Sequence, residues 1–294
     1  MHRLRMRISI VVAAVLIGWV AIQGWPYYHL GTAARVRSPL HAAFKSSGTM
    51  GIRLGVMGLV LYLVLFLYAL RKRVKWLGRI GRAGNWIDFH VVCGVSAPLL
   101  ITMHSTFRFG GLAGISYWIM IAVAVSGFVG RYLYSQIPRR LNAAELSHGE
   151  IEAMAADLGR ELEEQQELSA SEIAALLELP SREKVSKMPV WSVLCAMLWL
   201  DLRRPFLVRR LRVRFLTRAE RIWTMNGFLA SGHEGLERVI SAVRRQTWLR
   251  AKVLFLGRVQ ALFHLWHIVH RPFSYSFAAL ALVHIGVVLL LGYY

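Results

Sequence analysis

Five stretches of the chain, Ile8–Gln23, Met50–Leu70, Trp86–Ser105, Gly114–Gln136 and Phe273–Leu291, are almost entirely apolar. At 1.5 Å per residue, about 20 residues in a helix cross a hydrocarbon core of about 30 Å. Lipid offers no partner to a peptide group, so a run of this kind has to satisfy its own backbone as a helix. The fold class predicted is all-α, a polytopic membrane helical bundle of about five transmembrane helices with a helical cytoplasmic insertion. Hydrophobic residues make up 56% of the sequence, which excludes a disordered or collagen-like chain. Two cysteines, Cys93 and Cys195, both in apolar stretches, exclude a disulfide scaffold. Neither C-x-x-C nor C-x-x-C-H occurs, which argues against a thiolate zinc site and covalently attached haem.

The net charge of +20 would suggest nucleic acid in a soluble protein. Here the basic residues sit beside the apolar runs, where they set topology instead. Arg3, Arg5 and Arg7 precede the first run, and no small-x-small cleavage site precedes Trp25, so the run reads as an uncleaved span with its N-terminus inside. Pro26 to Thr49 reads as an outer loop. Arg71, Lys72, Arg73 and Lys75 close the second run and place the next loop in the cytoplasm, and Pro138, Arg139 and Arg140 do the same after the fourth. The expected location is a bacterial inner membrane.

The expected divisions are 1–136, a four-span membrane part; 137–250, a helical and partly interfacial cytoplasmic loop; and 251–294, an interfacial helix plus the last span. Every acidic residue except Asp88 lies in the middle segment. Leu141–Leu179 interleaves Glu145, Glu150, Glu152 and Glu161 with apolar positions, as a soluble helix does. Pro189–Leu200 is apolar but too short to span a bilayer, and is expected in the interface or as a core helix. Arg203–Arg221 is dense in arginine, suited to lipid headgroups or to an acidic partner, with a solvated face as the alternative. Pro272 is expected to open the last span.

Histidines carry the functional signal. His90 and His104 share the third run; His270 and His284 bracket much of the last, and both pairs are 14 residues apart. Fourteen helical residues fall about 40° short of four turns and rise about 21 Å, so each pair faces one way with a member near each membrane surface. The topology makes the two helices parallel, so His90 can meet His270 at the cytoplasmic level and His104 can meet His284 nearer the outside. Opposed imidazoles at two depths suit the iron of two b-type haems, which then carry electrons because no axial position is left for oxygen. The competing account is four polar side chains satisfied by neighbouring helices. His267 is the alternative to His270: it lies about 100° off the His284 face in an unbroken helix, but Pro272 stands between.

Gly94, one turn after His90, leaves room for a porphyrin. Gly51, Gly55 and Gly58, and Gly127 and Gly130, form smooth stripes that ordinary helix packing explains equally well. Propionates need cations: Arg131 and Arg271 for the cytoplasmic haem, and Arg53 and Arg108 for the outer one, with topogenic charge as the plainer explanation.

The paired H-x13-H spacings on two parallel spans resemble the ferric reductase/NADPH oxidase type of transmembrane di-haem cytochrome b, over the second through last spans. Phe-His-Leu-Trp-His-Ile-Val-His-Arg-Pro-Phe (Phe263–Phe273), followed by His284, also looks like bacterial membrane cytochromes of uncharacterised type. The resemblance implies two haems relaying electrons between a cytoplasmic or quinol donor and an outer acceptor. It departs from the family in lacking a flavin or nicotinamide domain, a G-x-G-x-x-G motif and a sixth span. The chain is therefore expected to be an electron-transfer subunit rather than a complete enzyme. Its expected partners are redox proteins such as a multihaem cytochrome or iron-sulfur protein, membrane lipid and quinone, with no nucleic acid. The alternative functions are a non-redox anchor or assembly subunit recruiting partners through the basic loop, and a transporter with histidine-lined metal sites.

Overall fold

The computed structural model describes residues 2–71, 73–137, 179–232 and 234–292. All regular structure among them is helical: α1 (His2–Tyr28), α2 (Thr32–Arg37), α3 (His41–Phe44), α4 (Thr49–Arg71), α5 (Lys75–Gly78), α6 (Ala83–His104), α7 (Gly111–Gln136), α8 (Arg182–Lys187), α9 (Val190–Phe215), α10 (Arg218–Trp223) and α11 (Glu234–Leu290). Helices α1, α4, α6, α7 and α11 carry the five apolar runs, and each holds a segment long and apolar enough to cross a membrane. The helix expected over Leu141–Leu179 lies outside the described residues, but for its last position.

Two compact units form, Met1–Val129 with His267–Tyr294, and Gly130–Trp266. Composition changes at 136/137 and 250/251, whereas the packing units divide inside α7 and α11.

In the first unit α4 packs along α6, and α1 crosses α6 as well. The segment from Pro26 to Thr49 is more structured than a polar loop. Pro26 lies within the last turn of α1, and Tyr27, Tyr28 and Phe44 bury themselves against Leu54, Leu100 and Met103. Arg35, only 9% exposed, ties this cap together. Its Nε donates to the Leu30 carbonyl at 2.9 Å, Nη1 to the Thr106 carbonyl at 2.6 Å, and Nη2 to the Tyr28 carbonyl. Thr106 and Phe107 have φ of 51° and 59°, the left-handed region that usually takes glycine. This turn ends α6, with Phe107 N–H donating back to Thr102 O at 3.3 Å. Such residues cost about 1–3 kcal/mol each and persist where surrounding contacts over-determine them. The Arg35 bond and the packing of Phe107 on Tyr28 (5.4 Å between ring centres) are those contacts.

Two expectations are corrected, one in each unit. The apolar Pro189–Leu200 segment is not a short element: α9 runs unbroken from Val190 to Phe215, through the basic residues and Pro205. One side of α9 packs inward through Val193, Met197, Val208 and Arg212, and this packing spans the change in composition. Likewise Pro272 does not open a helix but lies inside α11, which continues for 57 residues. Proline removes a single N–H, here the donor to the Ile268 carbonyl, and an apolar helix tolerates that loss. The membrane-compatible part of α11, Arg250–Leu290, is 41 residues long, about twice what a hydrocarbon core needs.

The turn from α9 through α10 into α11 is organised by Arg212. Its guanidinium binds both Glu237 oxygens (2.8 and 2.7 Å) and the carbonyls of Gly227 and Phe228 (3.2 Å each). Thr217 and Glu220 form a reciprocal capping box that starts α10.

Candidate histidine site

The residues that place the site lie in the first unit. Helix α6 supplies His90 and His104, and α11 supplies His270 and His284, in phase because the helix persists through Pro272. Helices α6 and α11 are not among the closely packed backbone pairs; side chains bridge them instead. Tyr62 meets Phe277 (4.6 Å between ring centres) and Phe66 meets Tyr275 (6.4 Å), so α4 contacts the same part of α11.

At one level the rings of His104 and His284 face each other, with centres 6.5 Å apart and planes at 74°. Metal–imidazole bonds are about 2.0–2.1 Å, and a ligating nitrogen lies about 1.2 Å from its ring centre, so two imidazoles across one metal have centres about 6.4 Å apart. The observed separation suits a shared axial metal and is too long for a hydrogen-bonded pair of rings. Nδ1 of His104 lies 2.8 Å from the Gly51 carbonyl oxygen. A carbonyl only accepts, so Nδ1 carries the proton and Nε2 presents its lone pair, the form a metal requires. Gly55 makes this possible: a Cβ there would stand 2.9 Å from both Cε1 and Nδ1 of His104. Gly55 and Gly58 thus seat α4 against His104 and Ile101 of α6, whereas a Cβ on Gly51 would meet the Lys45 carbonyl.

At the other level His270 lies within electrostatic range of His90. Its Nδ1 is 2.7 Å from the Ser126 hydroxyl, which sits 2.8 Å from the Val123 carbonyl. The hydroxyl has one proton; donating it to Val123 leaves it to accept from Nδ1–H, so Nε2 of His270 is again the lone-pair nitrogen. His90 packs on Tyr68, ring centres 5.5 Å apart. His267 also lies within electrostatic range of His270. The ring that Ser126 orients, in phase with His284, is His270.

The remaining expected residues divide. A Cβ on Gly94 would meet only Leu65, at 4.0 Å, so the backbone there is open on its outer side. Arg271 is exposed next to His270. Arg53 is exposed and stands about 160–200° around α4 from Gly51 and Gly55, away from His104. Arg108 is exposed in the turn after α6. Arg131 belongs to the second unit. Among the described residues, no three His, Cys, Asp or Glu side chains converge as a multidentate metal site does. At one level the arrangement brings two imidazoles, those of His104 and His284, to a separation that one metal could bridge.

The sequence reading missed Ser126, the Gly51 carbonyl and Arg35. Ser126 is a lone hydroxyl in an apolar run, and nothing local marks it as facing a histidine on a helix more than a hundred positions away.

Fold and site define the class: an all-helical, multi-pass membrane protein in which His104 of α6 and His284 of α11 come together. No family model, curated protein or solved structure matches the chain.

Proposed function

We propose that the protein is a di-haem b-type cytochrome subunit that relays electrons across a bacterial inner membrane. The observation that carries the reading is the repeated pairing of α6 with α11. His104 faces His284 at a separation suited to one metal, and His270 comes into range of His90 four turns away. In both pairs one ring has its Nδ1 bonded so that Nε2 is left for a metal. Haem bound there supplies reversible one-electron transfer. The Gly51 carbonyl and the Ser126 hydroxyl orient His104 and His270, and apolar helices surround them.

In this reading the N-terminus and residues 137–250 are cytoplasmic, as the basic clusters after α4 and α7 favour. His90 and His270 then bind the haem at the cytoplasmic side, with Arg271 beside it, and His104 and His284 bind the outer one. Electrons enter from a cytoplasmic redox subunit or quinol and leave to an outer acceptor such as a multihaem cytochrome or iron-sulfur protein.

The test is a pyridine haemochrome assay on the purified chain, with two equivalents of b-type haem expected. His104→Ala and His284→Ala should each remove one and the same haem, and His90→Ala and His270→Ala the other. A chain purified from haem-replete cells with no haem overturns the proposal. Loss of a haem in His267→Ala but not in His270→Ala moves that ligand.

A further inference from the structure

Helix α9 has two faces. Val193, Met197, Asp201, Arg204, Val208 and Arg212 turn into the second unit. On the other side Trp191, Cys195, Leu198, Trp199, Leu202 and Phe206 fall within about 100° of arc, and all six are exposed. Trp199 keeps 65% and Leu202 62% of its surface open, which is unusual for five large apolar side chains in one stripe. The stripe extends onto a second element. Phe206 meets Phe228 edge-on at 5.9 Å, and Arg209 lies over the Phe228 ring and donates to the Asn226 carbonyl at 3.0 Å. Beyond it, Ile222 and Trp223 project from the end of α10 and Met225 from the left-handed turn that follows, with Trp223 85% exposed. Exposed arginines rim this surface: Arg203 and Arg210 on α9, Arg218 and Arg221 on α10.

Its depth relative to the membrane is fixed by α7. The membrane-compatible segment of α7 ends at Gln136. Tyr132 and Gln136, in its last turns, both donate to Oδ2 of Asp201, at 2.7 and 3.1 Å. Asp201 lies near the middle of α9 and also pairs with Arg204 at 2.8 Å. The inner side of α9 is therefore held one side chain away from the end of a membrane-compatible helix, with the apolar stripe facing away from that contact.

We propose that this face of α9, with the turn after α10, lies in the headgroup region of the membrane that the spans cross and binds anionic phospholipid. Tryptophan is amphipathic and favours that region, and the arginine rim complements phosphate headgroups. Helix α9 packs inward through Val193, Met197 and Val208 together with Asp201 and Arg212, and turns an apolar, arginine-rimmed face outward, the face that suits the interface. The proposal is independent of the haem reading.

Cys195 sits on the stripe, and the other cysteine, Cys93, is buried in α6, so the native chain carries its own reporter. The full chain is placed in nanodiscs of phosphatidylglycerol and phosphatidylcholine and exposed to a water-soluble maleimide. Modification of each cysteine is read by peptide mass spectrometry. A Ser186→Cys variant, on the exposed side of α8, supplies the solvent reference. We expect Cys195 to react at least tenfold more slowly than the reference thiol. In pure phosphatidylcholine, or with Arg203→Gln and Arg210→Gln combined, that protection should fall severalfold. A polarity-sensitive dye on Cys195 should be quenched more by spin label near the headgroups than by label deep in the acyl chains. Cys195 reacting as fast as the reference overturns the proposal and leaves the face to a protein partner. Deeper quenching overturns it in favour of insertion. Equal protection in both lipids overturns the anionic preference.

Discussion

Substituting Gly55 by alanine places a methyl group 2.9 Å from two atoms of the His104 ring, where ordinary contact is 3.4–4 Å. The ring must retreat by about 0.5 Å or more, or α4 must lift from α6. Retreat lengthens the 2.8 Å bond from Nδ1 to the Gly51 carbonyl, worth about 1 kcal/mol net. Overpacking adds about 1–3 kcal/mol. Alanine returns about 1 kcal/mol of helix propensity over glycine. A net cost of about 1–3 kcal/mol remains, and it falls on the conformation in which the ring faces His284, because a ring not held to a metal can swing aside. At 1.4 kcal/mol per decade, the outer haem should be held about 5- to 100-fold more weakly. The assay is haem transfer from the purified chain to excess apomyoglobin, followed by absorbance. One of the two haems should leave correspondingly faster, and the other should leave at the wild-type rate. Gly127→Ala is the control: a Cβ there meets nothing within 4 Å, so both haems should behave as in wild type. If Gly55→Ala loses neither haem faster, or loses both alike, His104 is not an axial ligand seated on Gly55.

Gly94→Ala meets only Leu65 at 4.0 Å, so the haem-free chain should keep or slightly raise its thermal midpoint, while haem content falls towards one per chain. Ser126→Ala removes the acceptor for His270 Nδ1–H and makes that imidazole a weaker donor; redox titration should find one midpoint potential raised and the other unmoved. Arg212→Ala should destabilise the second unit by about 2–4 kcal/mol in urea followed by tryptophan fluorescence; this is less than the maximum for a buried pair because Glu237 keeps 22% of its side-chain surface open. Burial pushes the Glu237 carboxyl up, but hydrogen bonds from Arg212 and Ser231 outweigh it and hold it below its ordinary value. The stability this gives is therefore complete above the unfolded carboxyl range and lost as pH falls through the folded value; an urea midpoint for the Glu237→Gln variant that drops over the acid range as steeply as wild type would refute the assignment.

Hydropathy alone located the five spanning helices, because lipid leaves a long apolar run no other way to satisfy its backbone. The 14-residue spacing puts His90 and His104 on one face of α6 and His270 and His284 on one face of α11, because helical phase is a property of sequence number. What it did not disclose depends on contacts between distant positions. Proline at 272 reads as a boundary in any local account, yet the helix passes through it with Ser274 Oγ bonded to the His270 carbonyl at 2.7 Å. Helix α9 looked like two segments because its composition changes at Asp201, whereas its inward face, from Val193 to Arg212, is continuous. The Arg35 cap depends on a bond spanning 71 positions, and arginine in an outer loop carries no mark of burial. Arg53 shows the opposite error: a charge inside an apolar run drew attention, but it faces away from the glycine stripe.

The two histidine levels are oriented by different chemistry. At the His104–His284 level the partner of Nδ1 is a backbone carbonyl already inside a helix, and it is reachable because Gly55 presents no side chain against the ring. No single side-chain deletion can remove that partner; it can only be covered. At the other level the partner is a hydroxyl that spends its own proton on Val123 and leaves its oxygen for His270, so one oxygen atom decides the tautomer. A carbonyl is the stronger acceptor and makes its imidazole the more electron-rich ligand, which lowers the potential of a metal held there. Under the proposed function, the same pair of helices, with the same spacing, would hold two haems alike in ligands and unlike in electronic character. That inequality is what a relay across a membrane needs if electrons are to favour one face over the other.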